Sequence, residues 1–439
     1  MNSTEKKLHR AVELNRHGNT GSAKKILKSV LKAQPGHSDA LNQLGIVHYR
    51  DGDVAAAAKF FSQSIKSDSK NLAAIQNLGN VWADLNRLEE AESCYKKVLE
   101  QTPNDGQLLA NLCVVFRKSG RFKEAIRVGR KSTKLAPDHP VTWYSLGLAL
   151  IANRQDRKAV TSLEKAIALK PDFTLAHNML CQATYRIEKK RLLGVRDFPK
   201  TKMAYERWHE SDKKNPIAEF MLQALAGNDV IDRSPDQVTR RIFDDFAENF
   251  EEQLGRLEYR APRIVAETVG NHLGEANGLL IVDGGCGTGL MGQFLRPMAD
   301  TLQGIDLSPA MLRKARTTGL YDNLHEAELT TWLSEHPGCC NLLTIVDTLV
   351  YFGALENVLA AARTSLCPDA LLVFTLEKLD TTKSKRSWVL HPTGRYSHSR
   401  EYVEKAIDHA GLHQIEIQER VLRKESGNPV IGLVAAARK

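Results

Sequence analysis

Leu279-Leu280-Ile281-Val282-Asp283-Gly284-Gly285-Cys286-Gly287-Thr288-Gly289-Leu290 decides how the back half of the chain folds. An apolar strand ends in an acid, a glycine-rich turn follows, and the pattern predicts a helix starting near Thr288. Glycines at alternate positions 285, 287 and 289 let the main chain bend sharply and leave room for a ligand against it. Two phosphate-binding patterns do not fit. A P-loop requires Gly-Lys-Ser/Thr where Gly289-Leu290-Met291 stands, and a dinucleotide turn requires G-x-G-x-x-G where the spacing here is G-x-G-x-G. The leading Asp283 would repel pyrophosphate and suits a ligand with a cationic amino-acid end.

Further along, Leu302-Gln303-Gly304-Ile305-Asp306 ends a second strand 23 residues after Asp283 and continues as Leu307-Ser308-Pro309-Ala310-Met311-Leu312. Ala327-Glu328-Leu329 stands where a third strand ends, and Asn341 to Asp347 reads as a fourth with a terminal acid. Cys367 to Phe374 reads as the loop into a fifth strand, and alternating strands at about 412–421 and 430–437, joined by 425–429, make an antiparallel pair. Strands alternating with helical stretches define an α/β architecture with a mostly parallel sheet.

The D-x-G-x-G-x-G pattern, with acids at 306, 328 and 347 in register, resembles the class I S-adenosylmethionine-dependent methyltransferases. The resemblance implies a Rossmann-like domain with a seven-stranded, mostly parallel sheet. It implies S-adenosyl-L-methionine as cofactor, held by Asp283, Gly284, Gly285, Cys286, Gly287, Asp306, Leu307, Glu328, Leu329 and Asp347. In that family the acid at 306 accepts hydrogen bonds from both ribose hydroxyls, and the acid after the third strand pairs with the adenine amino group. The family's usual Pro-Gly-Gly stands here as Pro368-Asp369-Ala370.

Upstream, Phe243, Phe246 and Phe250 put three aromatics on one helical face, followed by Tyr259-Arg260-Ala261-Pro262, and this resembles the N-terminal cap that folds over the cofactor. The whole arrangement, including Pro392-Thr393-Gly394-Arg395-Tyr396-Ser397-His398-Ser399, is similar to a bacterial group of predicted methyltransferases containing tetratricopeptide repeats. The implied reaction is in-line methyl transfer, for which the protein chiefly supplies alignment. A general base is needed only for an acceptor that arrives protonated. Asp347-Thr348-Leu349-Val350 is no N/D-P-P-Y/F motif, which argues against amino methylation of adenine or glutamine. The substrate-side candidates are Tyr351, His391, Arg395, Tyr396 and His398; no catalytic residue and no metal ligand is assigned. Cys286 is a filler of the loop, and Cys339-Cys340 ends a loop.

An internal repeat fills the front half. Leu44, Leu78, Leu112, Leu146 and Leu180 recur every 34 residues, each followed by Gly or Cys. Ala57, Ala91, Ala125 and Ala159 stand thirteen positions after the first four, and Pro103, Pro137 and Pro171 close units. This resembles the tetratricopeptide repeat, two antiparallel helices per unit, with small residues where the helices cross closely. The expected all-α solenoid spans 1–187: units at about 4–37, 38–71, 72–105, 106–139 and 140–173, then a capping helix over 174–187. A basic linker and connector helix follow over 188–240, with 201–227 helical, and the methyltransferase-like domain spans 241–439.

The 439 residues, 42% apolar and 26% charged, are ordinary for a globular chain of two or three domains. Residues 1–190 carry 31 Lys and Arg against 18 Asp and Glu, a net of +13, and the remainder 30 against 34, a net of −4. A solenoid presents a concave groove, and Asn42, Asn77, Asn80, Asn111, Arg50, Arg117 and Lys118 are expected to line it. The expected partner there is a protein or peptide, acidic and extended. Nucleic acid is disfavoured, since no aromatic platform interleaves the basic residues. The methyl acceptor is expected to be a small molecule or a carrier- or protein-bound group. The rival reading is an adaptor whose methyltransferase fold binds cofactor without turnover. Seven cysteines without a C-x-x-C pair point to a reducing compartment, and no apolar run reaches membrane-span length, so the expected location is cytoplasmic. The first ten residues do not read as a secretory signal.

Overall fold

The computed structural model describes residues 3–191, 198–227, 231–247, 250–382, 384–425 and 427–439. Parts of the expected connector (192–197 and 228–230), Glu248-Asn249 beside the aromatic cap, and Ser426 in the last hairpin lie outside the described residues. The chain divides into two compact units, Met1–Val195 and Arg196–Lys439.

The front unit is all helix. Its pairs are Ser3–Arg16 with Thr20–Ala33, Ser38–Arg50 with Val54–Ser67, Leu72–Asp84 with Leu88–Gln101, Gly106–Lys118 with Phe122–Leu135, and Pro140–Ala152 with Asp156–Leu169, followed by Thr174–Arg191. The small residues sit at the crossings. A Cβ at Gly45 would stand 2.6 Å from the Phe61 ring, one at Gly79 2.6 Å from Tyr95, and one at Gly147 2.9 Å from Leu163. Ala57, Ala91, Ala125 and Ala159 are fully buried opposite them. Side-chain caps on Asn19, Asp53, Asn71 and Asp105 satisfy free N–H groups at four helix starts.

Several residues expected to line the groove are engaged within the array instead. Asn77 Nδ2 donates to Asn42 Oδ1 at 2.9 Å, Asn111 Nδ2 to Asn80 Oδ1 at 3.2 Å, and Tyr95 Oη to the same Asn80 oxygen at 2.8 Å. Arg50 Nη1 reaches Asn15 Oδ1 at 3.0 Å and Lys118 Nζ the carbonyl of Ala83 at 3.3 Å. Each of these cations bonds 35 residues back, onto the preceding unit. Polar side chains on stacked first helices face their neighbours at this distance, and pairing spares them the cost of burial without partners.

The back unit begins with two helices, Pro199–Ser211 and Pro216–Ala226, where one was expected over 201–227. Asn215-Pro216 breaks the run: proline lacks the N–H an interior turn needs, and Asn215 caps the second helix through Ile217 N. These helices belong to the back unit and are not a free linker. Trp208, Phe220 and Met221 are buried there, and a Cβ at Gly394 would meet Met221 Sδ at 3.1 Å. The carbonyl of Ile231 accepts from Tyr396 Oη at 2.8 Å, and that of Asp232 from the N–H groups of Gly353 and Ala354.

The sheet comprises β1 (Leu279–Gly284), β2 (Ala299–Asp306), β3 (Asn323–Glu326), β4 (Cys340–Ile345), β5 (Leu366–Lys378), β6 (Trp388–Leu390), β7 (Tyr396–His398), β8 (His413–Glu425) and β9 (Asn428–Arg438). Strands β3, β2, β1, β4 and β5 lie parallel in that order, and β9 pairs antiparallel with β5 and with β8. Among the described residues the sheet therefore has nine strands, not seven. The addition is the β6–β7 hairpin, whose β7 pairs parallel with Glu377 and Lys378 at the end of β5. Other boundaries differ too: β5 starts at Leu366 and takes in the whole of the expected loop 367–374, with Asp369 left-handed, and β8 and β9 run beyond their expected ends. Alternate residues feed two cores. Val282, Leu343, Leu372 and Phe374 pack against the helices Leu329–Glu335, Glu356–Ser365 and Arg400–His409, while Ile281, Leu342, Leu371 and Val373 pack against Ala261–Leu273.

Because the helices at 199–226 bury apolar side chains within the back unit, a fragment of residues 196–439 is expected to be soluble and to unfold cooperatively. A fragment starting at 236 lacks Phe220, Met221 and the Ile231 and Asp232 carbonyl acceptors, so its melting temperature should be at least 10 °C lower, or it should aggregate. Equal melting of the two fragments by circular dichroism would show that the two helices add nothing to the domain.

Candidate active site

The glycine loop is built by backbone geometry that side chains resist. Gly285, Gly287 and Gly289 have φ of +74°, +56° and +91°. A Cβ on Gly285 would collide with the Thr348 side chain, whereas one on Gly287 would meet, among the described residues, only Phe250 Cε1, at 3.9 Å. The helix expected near Thr288 starts later, as the single turn Gly292–Leu295, because left-handed glycines at 287 and 289 cannot enter an α-helix. The N–H groups of Gly285 and Cys286 both donate to the carbonyl of Ile305, at 2.8 and 2.9 Å, tying the end of β1 to the end of β2.

Asp306 terminates β2 and serves both loops. Its Oδ2 accepts from Gly287 N at 2.9 Å and its Oδ1 from Ser308 N at 2.8 Å. Burial raises its carboxyl above the usual range, opposed by these backbone bonds. The Leu307 N–H also acts on this carboxylate, and its roughly four acceptor sites still leave room for a further donor.

Asp283 has a different place from the one expected. It is only 1% exposed, and its oxygens accept from Tyr321 Oη at 2.7 Å and Thr344 Oγ1 at 3.1 Å. Burial pushes its carboxyl up to about 6, against those two hydrogen bonds. It anchors the loop from beneath. Glu328 also differs: it follows β3 by two residues and caps the helix Leu329–Glu335, accepting from Thr330 N and Thr331 N, while Arg233 Nη1 holds its Oε1 at 2.7 Å. A side chain next to a helix start finds those free N–H groups first. Leu307 is half-buried beside Asp306, and Leu329 is buried, with its Cδ1 2.9 Å from where a Cβ on Gly284 would lie. The Cys286 thiol is buried, which pushes its pKa well up and leaves it inert. Cys339 stands in a loop, and Cys340 opens β4.

The aromatic cap spans two helices, Asp236–Phe246 and Phe250–Arg256, not one helical face. Phe243 stands edge-on to Tyr351 at 5.4 Å between ring centroids and to Phe250 at 6.2 Å, and Phe246 to Phe250 at 6.3 Å. Asp244 Oδ1 accepts from Ser308 Oγ at 2.6 Å and Ala310 N at 3.3 Å, fixing this cap over the turn that follows Asp306.

The substrate-side candidates separate. Tyr396 and His398 are fully buried on β7: Tyr396 Oη donates to Ile231 O, and His398 Nε2 lies 3.0 Å from Gly353 O with burial lowering its pKa to about 4. They are core residues. His391 Nε2 lies 2.7 Å from Ser397 Oγ within the hairpin. Tyr351 is half-buried, its hydroxyl pushed up to about 12 by burial.

Arg395 joins a cluster that sequence reasoning did not find. Asp347, left-handed just past β4, pairs with Arg423 Nη1 at 3.0 Å. Arg423, 3% exposed, also bonds Glu377 through Nη2 and Glu425 through Nε at 3.1 Å. Arg395 Nη2 bonds Glu425, and its Nε lies 2.8 Å from Glu377 Oε1, in ion-pair contact but off the hydrogen-bond line. Burial raises the Asp347 carboxyl, with Arg423 opposing; in Glu425 the two guanidiniums outweigh burial and lower it. Arg423 and Glu425 lie on β8, 76 and 78 positions past Asp347, and the only sequence signal was charge on otherwise alternating strands.

Three family models of the tetratricopeptide repeat match residues 10–71, 48–113 and 141–173, and a model described as a methyltransferase domain matches 281–369. The chain carries tetratricopeptide repeats in front and a methyltransferase domain behind. Among curated relatives, a BBSome complex member of Bos taurus is 24% identical over 52% of this chain and 45% of its own length. Methyltransferase-like protein 27 of Homo sapiens is 39% identical over 19% of this chain and 35% of its own length. The chain thus spans less than half the length of these curated relatives. Among solved structures, the S-adenosylmethionine-dependent methyltransferase of Mesorhizobium loti aligns at TM-score 0.32 and 21% identity, over 39% of this chain and 96% of that one. The tetratricopeptide-repeat protein YrrB, described as having an unusual peptide-binding site, aligns at 0.35 and 20%, over 42% and 91%.

Asp283 generates a pH prediction. A carboxyl raised to about 6 in the folded protein, against about 4 unfolded, lets the native state bind more protons between those values. Its contribution to stability is therefore present at low pH and lost as pH rises from about 4 to 6, by roughly 3 kcal/mol at most. Asp283→Asn should raise the melting temperature at pH 8 by several degrees and change it little at pH 4. An equal shift at both pH values would mean that the charge is not destabilising in place.

Proposed function

We propose that the back unit transfers a methyl group from S-adenosyl-L-methionine to a small-molecule or carrier-bound acceptor, and that the repeats recruit a protein partner. The observation that carries this reading is the cradle at Gly287. Its left-handed backbone lacks a Cβ, only Phe250 stands near, and the neighbouring Thr288 hydroxyl is buried without a hydrogen-bond partner among the described residues. These features fit a polar ligand laid against the main chain. In this reading Gly285 to Gly287 take the amino-acid end of the cofactor, Asp306 takes the ribose hydroxyls on its spare lone pairs, and Leu307 and Leu329 flank the adenine. The methyltransferase domain match over 281–369 supports the assignment.

The cofactor supplies a methyl group on a charged sulfur, already activated for displacement. What this chain supplies is alignment and the exclusion of water. Phe243, Phe250 and Tyr351 form an apolar lid beside the loop, and Asp244 fastens that lid to the Asp306 turn. Asp283 and Glu328 support the loop and the adjoining helix, although each was expected to touch the cofactor. On the repeat side, the asparagines are paired with one another, so a peptide partner would meet them already oriented, on the donors and acceptors that those bonds leave over.

Full-length protein incubated with S-adenosylmethionine labelled in the methyl group and a fractionated extract should move label into a soluble small molecule or a carrier. Cofactor binding without any transfer from a complete set of fractions would favour an adaptor. At the site itself, Asp306→Ala should weaken S-adenosylhomocysteine binding by about a hundred-fold or more by calorimetry, since two charge-assisted hydrogen bonds are lost. Unchanged affinity in the folded variant would remove Asp306 from the ribose site.

A further inference from the structure

The cluster around Arg423 has a charge imbalance. Asp347, Glu377 and Glu425 are three carboxylates, while Arg395 and Arg423 are two guanidiniums, which leaves one negative charge without an ion-pair partner among the described residues. The nearby pairs Lys378–Glu419 and Lys424–Glu258 are each neutral and add nothing to it. Glu377 and Glu425 each commit Oε1 to both arginines, and no donor of the described residues reaches either Oε2. The hydroxyls of Tyr259 and Tyr351 lie within electrostatic reach of the same charges and make no hydrogen bond to a described residue. Tyr351 also touches Phe243 of the aromatic lid, so the cluster adjoins the candidate site at the carboxyl ends of β4 and β5.

A partly buried charge without a counterion is costly, and arginines saturated by carboxylates cannot attract an anion. We infer that the cluster of Asp347, Glu377, Glu425, Arg395 and Arg423 recognises the methyl acceptor, and that the acceptor is a compound bearing an aliphatic amine, bound as its ammonium against Glu377 and Glu425. This rests on the methyltransferase reading above. The bound ammonium gives one proton to solvent water before transfer. The freed nitrogen lone pair then forms the bond to the methyl carbon as the carbon–sulfur bond breaks and its electron pair stays on sulfur. An anionic acceptor would meet like charge, and a planar amide or adenine amine lacks the charge that the cluster is missing.

The test uses full-length protein saturated with S-adenosylhomocysteine and two probes of equal length and opposite charge, n-butylammonium and butyrate, at pH 7.5. Butylammonium should raise the melting temperature in a saturable way and butyrate should not. Glu425→Gln, which makes the cluster neutral, should weaken butylammonium binding at least ten-fold while leaving S-adenosylhomocysteine affinity within two-fold. Arg395→Gln, which adds to the imbalance, should tighten it. A merely structural cluster would lose stability in both variants with no opposite shift in probe affinity. Stabilisation by butyrate, no effect of either probe, or the same direction of change in both variants would overturn the inference. So would a ten-fold preference for S-adenosylmethionine over S-adenosylhomocysteine that Glu425→Gln abolishes, because the sulfonium would then supply the missing charge. Absence of heat with S-adenosylhomocysteine itself would instead strike at the methyltransferase reading.

Discussion

Two backbone N–H groups on one carbonyl hold the back unit's site together. Gly285 and Cys286 both donate to Ile305, and this is feasible only because Gly285 adopts a left-handed conformation with Thr348 packed where its Cβ would be. The shared acceptor brings the ends of β1 and β2 side by side. Asp306 can then reach Gly287 N on one side and Ser308 N on the other. Everything above the sheet follows from that junction: the open main chain at Gly287, the turn that Asp244 grips, and the aromatic lid that Asp244 fixes.

The front unit depends on a different constraint, the closeness of paired helices. Phe61, Tyr95 and Leu163 lie where a side chain on Gly45, Gly79 or Gly147 would be, so these three units pack through one small residue and one large partner. Once helices stack this closely, their inward polar residues meet one another before they meet any ligand. The Asn42–Asn77 and Asn80–Asn111 bonds are the result, and Arg50 and Lys118 are drawn onto the preceding unit in the same way. Arg50 and Lys118 keep their charge, since their acceptors are neutral oxygens, but each is held against the preceding unit.

Periodic features were legible in the sequence. The 34-residue repeat placed the helix pairs of the front unit, and the alternate glycines and strand-end acids placed β1, β2 and β4. Features set by contacts distant in the chain were not. Asp283 reads as a ligand contact because it ends a strand, yet Tyr321 and Thr344 arrive 38 and 61 residues later and occupy it. Glu328 reads as an adenine contact until the helix it caps is seen. Tyr396 and His398 look available in the polar stretch 392–399, but pairing of β7 with β5 buries them. The charge cluster was invisible for the same reason, since Arg423 meets Asp347 only after β8 and β9 close the sheet.

The central claim is that the open main chain at Gly287 is where the cofactor lies. Calorimetric titration of Gly287→Asn with S-adenosylhomocysteine, beside the unaltered protein, tests it most directly, because asparagine tolerates the left-handed backbone and its side chain would fill the cradle while meeting little of the described protein. The account predicts one binding site in the unaltered protein and no measurable heat in the variant, with the variant's β-sheet content retained by circular dichroism. Equal affinity in both proteins would contradict it and place the ligand elsewhere.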